Sequence, residues 1–161
     1  KVSEKIRDIL LDKNLSISDE SETMLFLAAR GELFSKNIQK KINQGVLVIC
    51  DRYIDSTVAY QGYGKKMNLE LINLCNEFVS KKIKPQLTIF LDIDYKSSIS
   101  RMGIEKDRME NNSKVFFNNV INGYKVLSQN EPNRFFVVDA KLSEGSIHEI
   151  IWKKVYMSVL Q

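Results

Sequence analysis

The sequence predicts an α/β fold in which a parallel β-sheet is flanked by helices in three layers. Three short stretches support this prediction, because each is apolar on both faces and rich in β-branched or aromatic residues: VLVIC (46–50), LTIFLDI (87–93) and RFFVVDA (134–140). Strands buried inside a parallel sheet have this composition. Helical patterns alternate with these stretches, and the alternation predicts parallel strands covered by helices.

The remaining segments show the apolar periodicity of helices. The chain opens with a helix over KVSEKIRDILL, and a long helix over 19–43 follows Ser18 and can end at Gly45. Another helix should begin near Ile54. The other predicted helices cover 68–82, 96–102, 115–127 and 143–160. In the helix over 68–82 we expect the apolar residues to face the core: Leu71, Leu74, Cys75, Phe78 and Val79.

Length and composition favour a single globular domain over 1–161, because a chain of 161 residues can bury a substantial core. The 24 basic and 20 acidic residues are interspersed, so the net charge of +4 suits small anionic ligands as well as nucleic acid. Cys50 and Cys75 are expected to be buried, reduced thiols of a cytoplasmic protein. No apolar run approaches the ~20 residues that cross a bilayer.

Two opposite charges, Asp51 and Arg52, stand at the carboxyl end of the predicted strand over 46–50. Ligands of parallel α/β proteins bind at this edge of the sheet. A guanidinium recognises phosphate through two parallel hydrogen bonds, and a neighbouring carboxylate can hold a magnesium-bound water. The dipeptide by itself also fits a second interpretation, in which Asp51 caps the following helix and Arg52 makes a surface ion pair.

The wider segment DRYIDSTVAYQ (51–61) resembles the signature of bacterial thymidylate kinases. The resemblance extends to LFLAAR before the signature and to NEFVSKKIKPQLTIFLDID, DRMENNSKVFFNNVINGY and RFFVVDA after it. It implies a fold of the P-loop nucleoside monophosphate kinase type. It also implies that ATP phosphorylates dTMP to dTDP with the help of Mg²⁺, in a cytoplasmic enzyme that binds neither nucleic acid nor membranes.

The resemblance assigns the thymine base to two residues that lie four apart on one helix, Phe26 and Arg30. The Phe26 ring would stack on the base, and the Arg30 guanidinium would donate to its O4. A donor at this position rejects cytosine, which carries an amino group there. Without the resemblance, Phe26 fits a core position equally well.

Four residues of the signature are assigned to the rest of the nucleoside. Thr57 and Gln61 match positions that hydrogen-bond the pyrimidine edge, and Ser56 lies beside them. Tyr60 matches the aromatic residue under the sugar, where a 2′-hydroxyl would be crowded. The resemblance therefore implies a preference for deoxyribose.

The phosphates are assigned to charged residues. Arg52 would bind the dTMP phosphate, and Asp51 would position Mg²⁺ through water. A lid over 101–113 would bring further cations to the transferred phosphoryl group, and these are Arg101, Lys106 and Arg108. Ala140 matches a position near adenine. For Arg108 the alternative is an ion pair with a neighbouring glutamate on a solvated helix.

The sequence departs from the family pattern in one respect: it contains no G-x-x-x-x-G-K-[ST] loop. We expect that a βα unit of at least about 30 residues, including the central strand, is missing from the N-terminus of this sequence. The first explanation is an intact enzyme of which this sequence omits the unit, and the alternative is a non-catalytic fragment that binds deoxynucleotides. A nucleic-acid-binding module is disfavoured by the interspersed acids. The long helix over 19–43 resembles the element through which family members form homodimers.

Overall fold

The computed structural model describes residues 1–101 and 112–159, and within them helices surround a small parallel sheet. The elements in chain order are α1 (Val2–Leu11), α2 (Asp19–Leu33), α3 (Gln39–Asn43), α4 (Ile54–Thr57), α5 (Leu69–Ser80), β1 (Thr88–Asp92), α6 (Tyr95–Arg101), α7 (Lys114–Asn130), β2 (Phe135–Asp139) and α8 (Glu144–Val159). Two π-helical segments, Phe34–Ile38 and Val58–Gly64, continue α2 and α4. No helix in the described ranges is both long and apolar enough to span a membrane.

Capping explains where the long helical run begins and ends. Ser18 caps α2, because its hydroxyl accepts a hydrogen bond from the backbone N–H of Ser21 at 3.2 Å. The run then continues through Phe34–Ile38 into α3, as the pattern over 19–43 predicts. Gly45, with a φ of 71°, follows directly after it. A glycine tolerates this left-handed conformation, so the chain can leave the helix there.

Strands β1 and β2 pair in parallel, with Thr88 opposite Phe135 and Asp92 opposite Asp139. Helices α6 and α7 lie between them in the chain, as a parallel connection requires. Two of the predicted strands and their parallel arrangement are therefore confirmed. The carboxyl ends of both strands carry an aspartate at the same edge of the sheet.

The third predicted strand, 46–50, is absent from the described structure, and this prediction is wrong for the chain as described. Ile49 is 87% exposed, and Cys50, which we expected to be buried, is exposed as well. The segment pairs with no strand in the described ranges. A strand exists only where a neighbour completes its backbone hydrogen bonds, and an apolar β-branched pattern cannot supply that neighbour.

Helix α5 turns a different face inward from the one we expected. Its buried residues are Ile72, Asn76 and Ser80, while Leu74 and Phe78 are 59% and 85% exposed. Apolar residues occur on more than one side of this helix, so the pattern alone does not tell which side packs against the rest of the chain. The prediction that Leu71, Leu74 and Phe78 point inward is wrong.

Helix α7 packs closely against the π-helical segment Val58–Gly64. The cluster between them contains Ala59, Phe116, Phe117 and Val120. A methyl group added at Gly123 would lie 2.8 Å from the Tyr63 side chain. Such a contact is too short for real carbon atoms, so the absence of a side chain at Gly123 permits the close approach. Helix α7 thereby supports the segment that follows the Asp-Arg-Tyr signature.

A buried ion pair joins α4 to the sheet. Arg134 donates from Nη1 to Oδ2 of Asp55 and from Nη2 to Oδ1, both at 2.8 Å. The Thr88 hydroxyl at the start of β1 donates to the same carboxylate at 3.0 Å. Both ionic side chains are about nine-tenths buried, with 10% and 9% exposed. The position of α4 is therefore tied to the residues that begin β1 and precede β2.

We expect Arg134→Met to lower the free energy of unfolding by about 3–5 kcal/mol, because it leaves the Asp55 carboxylate buried without its cation. Urea denaturation followed by circular dichroism measures this change. A matched control is Lys141→Gln, which removes a cation 2.7 Å from Asp94 in a pair whose side chains are 58% and 47% exposed. This control should cost much less, because water solvates both of its exposed charges. Equal losses in the two variants would contradict the prediction.

Candidate active site

The candidate site lies where α2 faces α4 and its π-helical continuation. Glu22, Phe26 and Arg30 are four residues apart on α2 and so share one face. Arg30 Nη1 donates to the Thr57 hydroxyl, and Gln61 Nε2 donates to Glu22 Oε1 at 3.3 Å. The two helices thus touch through two polar contacts that involve the residues on either side of Phe26 on α2. The half-buried Phe26 ring lies between Glu22 and Arg30 on this face of α2.

Arg30 is held by more than its contact with Thr57. Its Nη1 also donates to Oδ1 of Asn76 at 3.1 Å, and the Asn76 amide donates to the backbone carbonyl of Ile54 at 3.2 Å. The Arg30 guanidinium carbon lies 5.9 Å from the centre of the Tyr53 ring. Burial lowers the pKa of Arg30 from its usual value. These partners fix the direction of the guanidinium before any ligand arrives.

Arg52 and Tyr60 also lie together. The Arg52 guanidinium carbon is 5.1 Å from the centre of the Tyr60 ring, which is cation–π distance. Arg52 adopts a φ of 66°, a left-handed conformation that is unfavourable for a residue with a side chain. It lies between the segment 46–50, which forms no regular secondary structure, and α4. Strain of this kind occurs often at functional sites, where the surrounding structure holds it.

Asp51 is exposed beside Arg52. Within the described ranges, no group of three or more histidine, cysteine, aspartate or glutamate side chains could hold a metal ion. A single carboxylate is nevertheless enough for Mg²⁺, which keeps several waters and takes other ligands from substrate phosphates. The residues present therefore fit an ion that Asp51 contacts through water.

Ser56 belongs to a pair that the sequence does not reveal. Its hydroxyl lies 2.8 Å from the Tyr124 hydroxyl, and the Tyr124 ring stacks on Phe90 with centres 5.2 Å apart. Burial raises the pKa of Tyr124 to about 12, so this hydroxyl remains protonated at neutral pH. Tyr124, which belongs to α7, therefore connects α4 to α7 and to the middle of β1.

Two further predicted site residues, Arg101 and Ala140, belong to the segments that follow β1 and β2. Arg101 is exposed at the end of α6, and Ala140 is buried directly after β2, where its backbone N–H donates to the Asp92 carbonyl at 2.9 Å. Lys106 and Arg108 lie outside the described residues. The structure gathers the other predicted residues around α2 and α4, namely Phe26, Arg30, Asp51, Arg52, Ser56, Thr57, Tyr60 and Gln61.

Four partners of the site were not predicted from the sequence: Glu22, Asp55, Asn76 and Tyr124. Glu22 and Asp55 read as ordinary acids in the first turn of a helix, where they favour the helix dipole. Asn76 carried no signal of its own, since Asn73 and Glu77 are polar neighbours on the same helix. Tyr124 lies in the segment DRMENNSKVFFNNVINGY but carries no pattern of its own.

The chain is similar in sequence to known thymidylate kinases. The sequence model of a family described as "Thymidylate kinase" matches residues 1–151. The thymidylate kinase of Mesomycoplasma hyopneumoniae (strain 7448) is 39% identical over 160 residues, which are 95% of this chain and 75% of that protein. The thymidylate kinase of Kosmotoga olearia is 36% identical over 153 residues, with 94% and 74% covered.

A solved structure is similar over the same extent. The crystal structure of thymidylate kinase from Ehrlichia chaffeensis superposes with a TM-score of 0.73 at 30% identity, covering 94% of this chain and 72% of that one. The α/β fold is thus of the nucleoside monophosphate kinase class. The chain belongs to the thymidylate kinase family and is a kinase that phosphorylates dTMP to dTDP (EC 2.7.4.9). No comparison supports the alternative of a non-catalytic fragment.

The raised pKa of Tyr124 predicts how stability depends on pH. The folded state holds the Tyr124 proton up to a pKa of about 12, whereas an unfolded tyrosine loses it near 10. The stabilisation that the protonated Tyr124 hydroxyl gives the folded state is complete below about pH 10 and is lost as the pH rises towards 12. In urea titrations between about pH 9 and pH 11, Tyr124→Phe should therefore lose less stability than the unchanged protein.

The control for this measurement is Tyr156→Phe on α8, where the side chain is 48% exposed. It should lose stability with pH as the unchanged protein does. If Tyr124→Phe and the unchanged protein follow the same pH dependence, the buried hydroxyl does not contribute as stated.

Proposed function

We propose that dTMP binds between α2 and α4, with its base on Phe26 and its phosphate at Arg52. The observation that carries this placement is the pair of polar contacts, Arg30 to Thr57 and Gln61 to Glu22, that flank Phe26. A base stacked on the ring would meet both polar pairs along its edge. Stacking of this kind is worth roughly 1–3 kcal/mol per base.

Arg30 would recognise O4 of thymine. Its contacts with Thr57 and Asn76 both use Nη1. A guanidinium has further N–H donors, and these are available for a carbonyl oxygen of the base. Cytosine presents an amino group at the same place and would meet a second donor there. Thr57 would then act both on Arg30 and on the pyrimidine edge.

Tyr60 would lie under the sugar, with Ser56 close by. Because the Arg52 guanidinium contacts the Tyr60 ring, it would lie next to the sugar, where a 5′-phosphate would extend. The Ser56 hydroxyl is held by Tyr124. This arrangement supports a preference for deoxyribose, because a 2′-hydroxyl would crowd the aromatic ring.

ATP would donate its γ-phosphoryl group to the dTMP phosphate. The acceptor oxygen is already anionic, so the reaction needs positioning and charge neutralisation rather than a strong base. Arg52 would orient the acceptor, and Asp51 would hold Mg²⁺ through water, where the ion neutralises charge on the phosphates. The lid over 101–113 would add Arg101, Lys106 and Arg108, and Ala140 would lie near adenine.

The same proposal extends to the organisation of the protein. We propose one kinase domain over 1–161, with a lid over 101–113, three layers around the parallel sheet, and a cytoplasmic location. Helices α7 and α8 both contact β2, which supports a sheet with helices packed on it. The family resemblance supports the remainder.

Arg52→Ala should lower kcat/KM for dTMP by at least about 100-fold, because two charge-assisted hydrogen bonds to phosphate are lost. Arg52→Lys keeps the positive charge but loses the two parallel N–H donors of the guanidinium. Its kcat/KM should therefore lie between those of Arg52→Ala and the unchanged protein. Coupled ADP-release assays and calorimetric titration with dTMP measure these effects. Lys40→Ala, an exposed cation on α3, is the control and should change neither quantity. Unchanged dTMP affinity in Arg52→Ala would contradict the placement of the phosphate.

We also propose that the enzyme is a homodimer that buries the outer face of α2 and α5. This face exposes Met24, Leu74 and Phe78 by 47%, 59% and 85%. Contiguous exposed apolar side chains of this size are unusual on a monomer and mark interaction surfaces. A second copy of the chain is the occupant that the resemblance of the helix over 19–43 supports.

Phe78→Glu should convert the dimer to a monomer, because a carboxylate would lose its hydration at the centre of the apolar face. Sedimentation equilibrium measures the mass. Met157→Glu, which places the same charge at a 62% exposed apolar residue of α8, should leave the mass unchanged. A monomeric unchanged protein, or a dimer that persists in Phe78→Glu, would contradict this interface.

A further inference from the structure

We infer that Glu22 is a positioning residue that fixes the orientation of the Gln61 amide and so makes the site select pyrimidines that carry a proton on N3. This inference rests on the placement of the base proposed above. Glu22 itself does not contact the base. It acts through Gln61, whose side chain is 2% exposed and is held from one end only.

The first step concerns which end of the amide Glu22 can hold. The Glu22 side chain is fully buried, and its Oε1 lies 2.7 Å from the Lys65 ammonium. Lys65 also lies 2.6 Å from Asp19, so a cation shared by two acids accompanies the carboxylate. A carboxylate only accepts hydrogen bonds, and the nitrogen of an amide only donates them. The contact at 3.3 Å therefore requires Nε2 of Gln61 to face Glu22.

The second step concerns the opposite end of the same amide. The Oε1 atom of Gln61 has no hydrogen-bond partner within residues 1–101 and 112–159. An amide oxygen only accepts hydrogen bonds. With the nitrogen held by Glu22, the oxygen is the end that Gln61 can offer to a ligand.

The third step compares the bases. Thymine and uracil carry a proton on N3 and an oxygen on C4, whereas cytosine has an unprotonated N3 and an amino group on C4. A donor from Arg30 beside an acceptor from Gln61 matches the first pattern and opposes the second at both positions. Because Glu22, Phe26 and Arg30 form one column on α2, a single helix face supplies the stacking ring and sets both polar groups.

A purely structural role for Glu22 predicts a different result. The buried ion pair with Lys65 stabilises or destabilises the fold without regard to the base that is bound. Loss of such a pair would lower activity with all pyrimidines by the same factor. The comparison of dTMP, dUMP and dCMP separates the two roles, because dTMP and dUMP share the N3 proton and differ only in a methyl group.

The test is Glu22→Gln in the full enzyme. The new amide can donate as well as accept, so it no longer dictates the orientation of Gln61. We expect kcat/KM to fall by about tenfold for both dTMP and dUMP and not for dCMP. The dTMP to dCMP ratio then falls by about tenfold, while the dTMP to dUMP ratio stays constant. Asp19→Asn, which alters the other carboxylate at Lys65, is the control and should leave both ratios unchanged.

A second variant shows whether Glu22 acts through Gln61. Gln61→Leu should lower the dTMP to dCMP ratio, and adding Glu22→Gln to it should lower the ratio no further. If Gln61→Leu leaves the ratio unchanged, the base does not lie at Gln61 and the proposed placement fails. If Gln61→Leu lowers the ratio but Glu22→Gln does not, the placement stands and the role of Glu22 is overturned.

A crystal of the unchanged protein with dTMP tests the same point if Glu22→Gln does not fold. One end of the Gln61 amide should remain on Glu22 while the other lies within hydrogen-bond distance of N3. A complex in which Gln61 has left Glu22 to reach the base would overturn the inference.

Discussion

The Asp55 carboxylate, held by both terminal nitrogens of Arg134, determines where the signature helix lies. Helix α4 has only four residues, too few to be stable as an isolated helix. Its place comes from contacts with the rest of the chain, and Asp55 supplies a direct contact with the residues that begin β1 and precede β2. Arg52, Ser56 and Thr57 are within three residues of Asp55 in the chain. The buried pair therefore sets the position of the residues proposed to contact the phosphate, sugar and base together.

The polar contacts between α2 and α4 have a common physical role. Arg30 is oriented by Thr57 and Asn76, and Gln61 is oriented by Glu22. In a largely buried site such hydrogen bonds are strong, and a group that is already oriented loses little conformational freedom when a ligand binds. The site can then discriminate between bases that have nearly the same shape, because a wrong base leaves a buried donor or acceptor without its partner.

The π-helical segment Val58–Gly64 explains how the signature serves two surfaces. A π-helical turn contains an extra residue, and such turns are often found at functional sites. Gln61 faces α2 in this segment, while Tyr60 faces Arg52 and packs edge-on against Phe116, with ring centres 6.0 Å apart. Adjacent residues thus face Glu22 on α2 and Arg52, which lie at the proposed base and phosphate positions. The close packing of α7 at Gly123 keeps the segment in place.

The sequence by itself determined the helices, two of the three strands and the kinase class, because local periodicity and an ordered series of motifs carry that information. Only the tertiary structure decided which faces are buried and which polar groups meet. The segment 46–50 has the composition of a strand but no neighbouring strand in the described chain. Helix α5 buries Ile72, Asn76 and Ser80, while its apolar residues Leu74 and Phe78 stay exposed. Glu22 illustrates the reason most clearly. An acid in the first turn of a helix is expected at the surface, and its burial against Gln61 depends on a contact 39 residues away in the chain, which no local pattern records.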